Sequence, residues 1–166
     1  MKKITFTAEA REYKSAEELD KSLLKLVNAA REATQKAYAP YSNFMVGAAV
    51  LLSNGKMITG NNQENAAYPS GLCAERVAVF AAAAQYPDAA VKAVAIAAYS
   101  PAFSVNTPVT PCGACRQVLA EYEQKSGSQI TVIMTGSVGK VLVTNSVKDL
   151  LPFTFDASSL LKSPKK

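Results

Sequence analysis

The sequence predicts an α/β protein, a helix-sheet-helix sandwich around a five-stranded mixed sheet. Three observations predict it. The element order reads helix, two strands, helix, strand, helix, two strands, helix, which places helices against one sheet. The run "VKAVAIAAYS" (91–100) is apolar almost throughout, as in a buried strand. The chain has 166 residues, 49% hydrophobic and 19% charged, enough for a real core and suited to a single domain. We read one domain over 1–166, with a polar N-terminal lead (1–13) and a basic C-terminal tail (162–166).

Each element has a local reason. The lead carries only a weak strand signal, "ITFT". From Ser15 to Pro40 the pattern is that of an amphipathic helix, with Leu19, Leu23, Val27, Ala30 and Ala37 on one face. Ser15 and Glu18 have the spacing of a capping box, and Pro40 ends the segment. "FMVGAAVLLSNGKMITG" reads as two strands joined by a turn at Ser53-Asn54-Gly55. A loop, "NNQENAAYPSG", leads to an alanine-rich helix from about Cys73 that stops at Pro87. After the buried strand, the loop "PAFSVNTPVTP" precedes a helix over "CGACRQVLAEYEQK". "QITVIMTG" and "KVLVTN" are two more strands, and "SVKDLLPFTF" is a short helix capped by Ser146 and closed by Pro152.

Composition excludes several classes of function. The formal charge is +5, but Lys2, Lys3, Lys162, Lys165 and Lys166 sit at the two ends. Of 18 basic residues, the 13 that remain balance the 13 acidic ones, so no basic stripe tracks phosphates, and we expect no nucleic-acid partner. No apolar run approaches the roughly 20 residues that span a bilayer. Charges at Glu9, Arg11 and Glu12 interrupt any export signal. A cytoplasmic protein without a membrane partner is the expectation. There is no histidine, so chemistry must use Cys, carboxylate, Arg, Lys or Tyr.

The three cysteines, Cys73, Cys112 and Cys115, each fall at the expected start of a helix. Helix N-termini carry partial positive charge and free N–H groups, which stabilise thiolates. Three thiolates form three corners of a tetrahedron, and zinc with an open fourth position is the catalytic arrangement. Three thiolates and one zinc sum to a net charge of −1. Arg76, three residues after Cys73, and Arg116, four after Cys112, are placed to compensate by donating to ligand sulfurs. The alternative is that both are surface ion-pair partners. Glu75, two residues past Cys73, suits a proton shuttle beside the metal better than a fourth ligand. Cys112-Gly-Ala-Cys115 alone could be a redox dithiol; Cys73-x-Glu75 and Pro111 argue against that. Cys-x-Glu followed by Pro-Cys-x-x-Cys is an established signature of zinc deaminases.

With "YSNFMVGAAV", "NNQENAAYPSGLCAERVAVF", "PCGACRQVL" and "DLLPFTF" in order, the chain resembles the small zinc-dependent cytidine deaminases with three cysteine ligands. The resemblance runs from about Tyr38 to Phe155. It implies the cytidine-deaminase-like fold, and hydrolysis of cytidine and deoxycytidine to uridine and deoxyuridine with release of ammonia, in pyrimidine salvage. It implies Zn2+ held by Cys73, Cys112 and Cys115, with Glu75 as general acid and base. It further implies ribose contacts from Asn62 and Glu64, a pyrimidine contact from Phe44, and a backbone contact to the base at Ala66. By the same resemblance, Arg76 is expected to hydrogen-bond the ligand thiolates and Phe155 to serve a neighbouring subunit's site. The implied partners are a nucleoside substrate and a homotetramer, with a dimer as the alternative. Gln63 stands where the family usually has an aliphatic residue, and Met45 and Phe153 fall at variable places. Rival readings are a deaminase of the antibiotic blasticidin S, a polynucleotide-editing deaminase and a non-catalytic zinc-binding assembly protein. Glu64 favours a ribose and argues against the antibiotic; the neutral body argues against a polynucleotide.

Overall fold

The computed structural model describes residues 1–160; the basic tail at 162–166 lies outside the described residues. Among the described residues, nine helices and strands follow one another: β1 (Arg11–Tyr13), α1 (Lys21–Ala33), β2 (Met45–Leu52), β3 (Met57–Asn61), α2 (Ala74–Gln85), β4 (Val91–Tyr99), α3 (Gly113–Ser126), β5 (Thr131–Thr135) and β6 (Val141–Thr144). The strands form one sheet in the order β1-β6-β5-β4-β2-β3. Only β4 and β5 run parallel; every other neighbouring pair is antiparallel.

The helix-sheet-helix reading holds, but the sheet has six strands instead of five. The addition is β1, which pairs antiparallel with β6 from Arg11↔Val143 to Tyr13↔Val141. Its three residues, Arg-Glu-Tyr, are too short and too polar to show alternation. The first helix is also shorter than its pattern suggests. Ser15 heads only a 3-10 turn over Ala16–Glu18 and makes no side-chain cap, while Glu18 accepts from the Lys14 N–H instead. Asp20 is the cap of α1, accepting from Ser22 N at 2.9 Å and Leu23 N at 3.0 Å, an interaction worth about 1 kcal/mol. The expected helix after Ser146 is a single 3-10 turn, Val147–Asp149, with Ser146 capping Lys148 N.

The two faces of the sheet carry different side chains. On β4, Ala93, Ala95 and Ala97 face the cluster around α1, with Leu26, Val27 and Ala30. Val94 and Ile96 face the other cluster, formed with Ala78, Val79 and Leu119 of α2 and α3. Fully burying a residue such as Leu26 or Ile96 stabilises by about 1.5–3 kcal/mol.

Close approach of backbones sets where the helices lie. A Cβ at Gly60 of β3 would stand 2.5 Å from Ala78 N and 2.8 Å from Ala74 O. Glycine there lets the first turns of α2 press onto the sheet. Gly47 of β2 does the same for α1, where a Cβ would meet Ala30 O at 2.1 Å.

Candidate active site

Topology brings the cysteines together. Both β3 and β4 are antiparallel to β2, so they point the same way. The chain leaves β3, crosses by α2 to β4, then crosses by α3 to β5. Both helices pack on one face, and each follows the carboxyl end of a strand with the same direction. Their N-termini therefore arrive at the same end of the sheet, where α/β folds place their ligands. Cys73 is the N-cap of α2 and Cys112 the N-cap of α3, and neither side chain caps its own helix. Both thiols are free to face each other. Cys115 follows one turn into α3, fully buried.

The sulfurs form a compact triangle. Cys73 Sγ lies 3.8 Å from Cys112 Sγ, Cys112 Sγ lies 3.5 Å from Cys115 Sγ, and all three fall within 4.8 Å of one another. These separations are too long for disulfides, and all three cysteines are free. Tetrahedral thiolates at the usual zinc–sulfur length of about 2.3 Å stand about 3.8 Å apart. The donor set and its spacing therefore fit zinc.

Electrostatics of the triangle point the same way. Hydrogen bonding from the Cys115 thiol, then from Arg76 and Cys112, brings the Cys73 thiol down to about 5 against its burial. Cys115 moves the other way, because it donates to Cys73, is buried and lies near the Glu75 charge. One negative charge is thus easily held and a second is resisted. A divalent cation removes that conflict.

Glu75 sits in the first turn of α2 and is only 5% exposed. Burial, and then the Cys73 charge, push its carboxyl above the ordinary range. Arg76 directs Nη2 at Cys73 Sγ from 3.7 Å, while its buried Nε has no hydrogen-bond partner. Arg116 does not reach a sulfur. Its Nε donates to Pro111 O at 2.8 Å and its Nη1 to Leu150 O at 3.0 Å. Arg116 instead ties the loop before Cys112 to the C-terminal segment.

A cleft of about 440 Å³ opens beside Cys73 and Arg76, lined also by Tyr41, Asn62, Glu64 and Tyr68. Glu64 accepts at Oε2 from Tyr41 N (2.9 Å) and Ser42 N (3.3 Å), and at Oε1 from the Ser42 hydroxyl. The Ser42 hydroxyl bond is the main reason its carboxyl titrates below the ordinary value, despite some desolvation. Asn62 accepts from Val46 N at 2.8 Å and donates from Nδ2 to Phe44 O at 2.9 Å. Its amide thus takes the place of a strand residue beside β2. Phe44 is held there, half-buried, with its ring stacked on Phe103 at 6.4 Å between centroids.

Comparison with known proteins decides the family. The cytidine and deoxycytidylate deaminase zinc-binding region matches residues 20–130. A cytidine deaminase of Halalkalibacterium halodurans is 40% identical over 135 residues, covering 81% of this chain and 95% of that protein. The chain belongs to the cytidine and deoxycytidylate deaminase family. A cytidine deaminase of Sporosarcina psychrophila is 40% identical over 82% of this chain and 93% of its own. The crystal structure of cytidine deaminase from Burkholderia pseudomallei superposes with a TM-score of 0.68 at 42% identity, covering 79% of this chain and 97% of that one. As a member of a zinc-dependent deaminase family, the protein is an enzyme.

Not every expected residue of this deaminase-family chain meets in the cleft. Cys73, Arg76, Asn62 and Glu64 line it, whereas Phe44, Glu75, Ala66 and Phe155 do not. Ala66 is exposed in the loop after Glu64. Phe155 is 61% exposed and lies along α3, its carbonyl accepting from Gln117 Nε2 at 2.7 Å. Ser42 and Phe103 are contributors that sequence reasoning missed. The signal for Ser42 was local: its hydroxyl also accepts from Phe44 N at 3.0 Å, and Asn43 between them takes a positive φ of 51°, a conformation Asn tolerates.

Proposed function

We propose that this protein hydrolyses cytidine and deoxycytidine to uridine and deoxyuridine, releasing ammonia, in pyrimidine salvage. The observation that supports it most is the thiol triangle at two helix starts, with Glu75 two residues from Cys73. Cys73, Cys112 and Cys115 would hold the zinc. Zinc bound there supplies Lewis acidity, which makes water a nucleophile near neutral pH. Glu75 would take one proton from the attacking water and deliver it to ring N3, then take the second from the new C4 hydroxyl and pass it to the departing amine, which leaves as ammonia. Its burial favours the protonated form that the second half of this cycle needs. Arg76 steadies the Cys73 thiolate.

The cleft fits a nucleoside. Glu64 uses three accepted bonds of about four available to a carboxylate, which leaves room for one sugar hydroxyl. Asn62 keeps one amide hydrogen for the same purpose. Among the described residues the one cation lining the cleft, Arg76, is engaged with sulfur, so there a phosphate would meet the Glu64 charge with little to oppose it. Phe44, tied to the cleft residue Asn62, and the backbone at Ala66, next to the cleft residue Asn65, stand at the cleft's border and would contact the base from there, while Phe155 would contact one in a second copy of a homotetramer. Tyr38, Tyr41, Tyr68, Phe103 and Phe155 are exposed, as such an assembly requires. Free thiols suit a reducing compartment, hence the cytoplasm; among the described residues no helix is long and apolar enough to cross a membrane.

The test is an ultraviolet deamination assay on cytidine, deoxycytidine, CMP and blasticidin S, with zinc measured on the same sample. Turnover of the two nucleosides with one zinc per chain is expected. Stoichiometric zinc with no turnover of either nucleoside defeats the proposal.

A further inference from the structure

The family match begins at residue 20, so β1 and the segment before it lie outside it. This lead does more than cover a sheet edge. Its pairing with β6 ends at Arg11, yet the chain continues backwards along the segment after β6. Arg11 Nη2 donates to Asn145 Oδ1 at 2.6 Å, and Glu9 N donates to Asp149 Oδ1 at 3.4 Å. Phe6 sets its ring edge-on against Phe153, with centroids 4.5 Å apart. Successive contacts thus step from 145 to 149 to 153 while the lead runs from 11 to 9 to 6.

The same segment is tied from the inside. Buried Glu123 of α3 accepts from Ser146 Oγ at 2.7 Å and Val147 N at 3.0 Å. Arg116 holds Leu150 O, and Gln117 holds Phe155 O. Between Leu150 and Phe155, however, Phe153 is 75% exposed, and among the described residues its ring contact is the one to Phe6. That contact braces Phe153 from the outside, two residues before Phe155.

We infer that residues 4–13 form a strap whose Phe6 positions the 150–155 segment and so aims Phe155 for nucleoside binding. This rests on the proposed role of Phe155 at a second copy's site. Phe6 touches no reacting group; it acts through Phe153 and the backbone.

The experiment compares Phe6→Ala, Phe6→Leu, Phe155→Ala and the Phe6→Ala/Phe155→Ala double variant of the full zinc-loaded chain. Phe6→Ala is expected to speed amide hydrogen exchange in 147–155 but not in 73–85. KM for cytidine should rise several-fold while kcat stays within twofold. Phe6→Leu should restore both, and Phe6→Ala should add nothing to KM in the Phe155→Ala background, since the two act in series. Phe6 is half-exposed, so folding is expected to survive; Arg11→Gln offers a second, milder loosening of the strap. Raised KM in Phe155→Ala with unchanged exchange in both Phe6→Ala and Arg11→Gln overturns the strap alone. Additive KM effects also overturn it. An unchanged KM in Phe155→Ala overturns the underlying role of Phe155, and the strap's part in binding with it.

Discussion

Arg76 stands one turn along α2 from Cys73 and aims a guanidinium nitrogen at its sulfur from 3.7 Å. Arginine stays charged at any working pH, so this contact draws electron density from the thiolate under all conditions. Partners of metal ligands typically contribute 10–100-fold to affinity or activity.

Arg76→Gln should therefore lower kcat/KM by about tenfold or more at full zinc occupancy, and weaken zinc binding in chelator competition. A rate unchanged at measured stoichiometric zinc would show that Arg76 does not tune the site. Arg116→Gln should act differently. It loosens the loop before Cys112 and the backbone at Leu150, so its main effect should be on melting temperature.

Glu75→Gln keeps the size of the side chain and removes its proton chemistry. We expect kcat to fall by about 10²–10⁴ with zinc content unchanged. Equal loss of zinc and activity would point instead to a role in holding the metal.

Glu64→Gln keeps one acceptor for Ser42 but loses the charge. KM for cytidine should rise by about tenfold, the scale of a hydrogen bond to a charged group, with kcat little altered. The pH dependence has a definite sign. The Glu64 carboxyl titrates below its ordinary value of 4.5, so its contribution is fully present above that value. It is lost as pH falls through the lowered folded value. The KM ratio between Glu64→Gln and the parent should thus be flat across the neutral range and shrink only in acid. A ratio that changes between pH 6 and 8 would assign the effect to another group.

Gly60→Ala places a methyl where Ala78 N and Ala74 O already stand. Overpacking of this kind costs about 1–3 kcal/mol, read as a lower melting temperature. Because the shift falls on the first turns of α2, weaker zinc binding should accompany it. Gly113→Ala is the control: a Cβ there meets nothing within 4 Å.

Much of this site is legible in the sequence because its signals are local. Cys73 and Cys112 each precede a helix pattern, and their placement as N-caps follows from that alone. Where local patterns repeat, they mislead. Ser15 and Glu18 have capping-box spacing, yet Asp20 caps α1, since Asp is as good a cap and lies nearer the apolar face. Arg116 looked equivalent to Arg76 by spacing; its carbonyl partner at Leu150 is 34 residues away and invisible to any window. β1 escaped for the same reason, because among the described residues its strand partner is β6, about 130 residues further along the chain.

The Asn62 side chain, clasping Phe44 O and Val46 N, behaves as a stretch of peptide made from a side chain. An aspartate there would set a carboxylate against the Phe44 carbonyl, acceptor facing acceptor, and the neighbouring aromatic wall would swing loose. Position 62 is thus a hinge pin before anything else: tampering with it dismantles the room before any guest arrives.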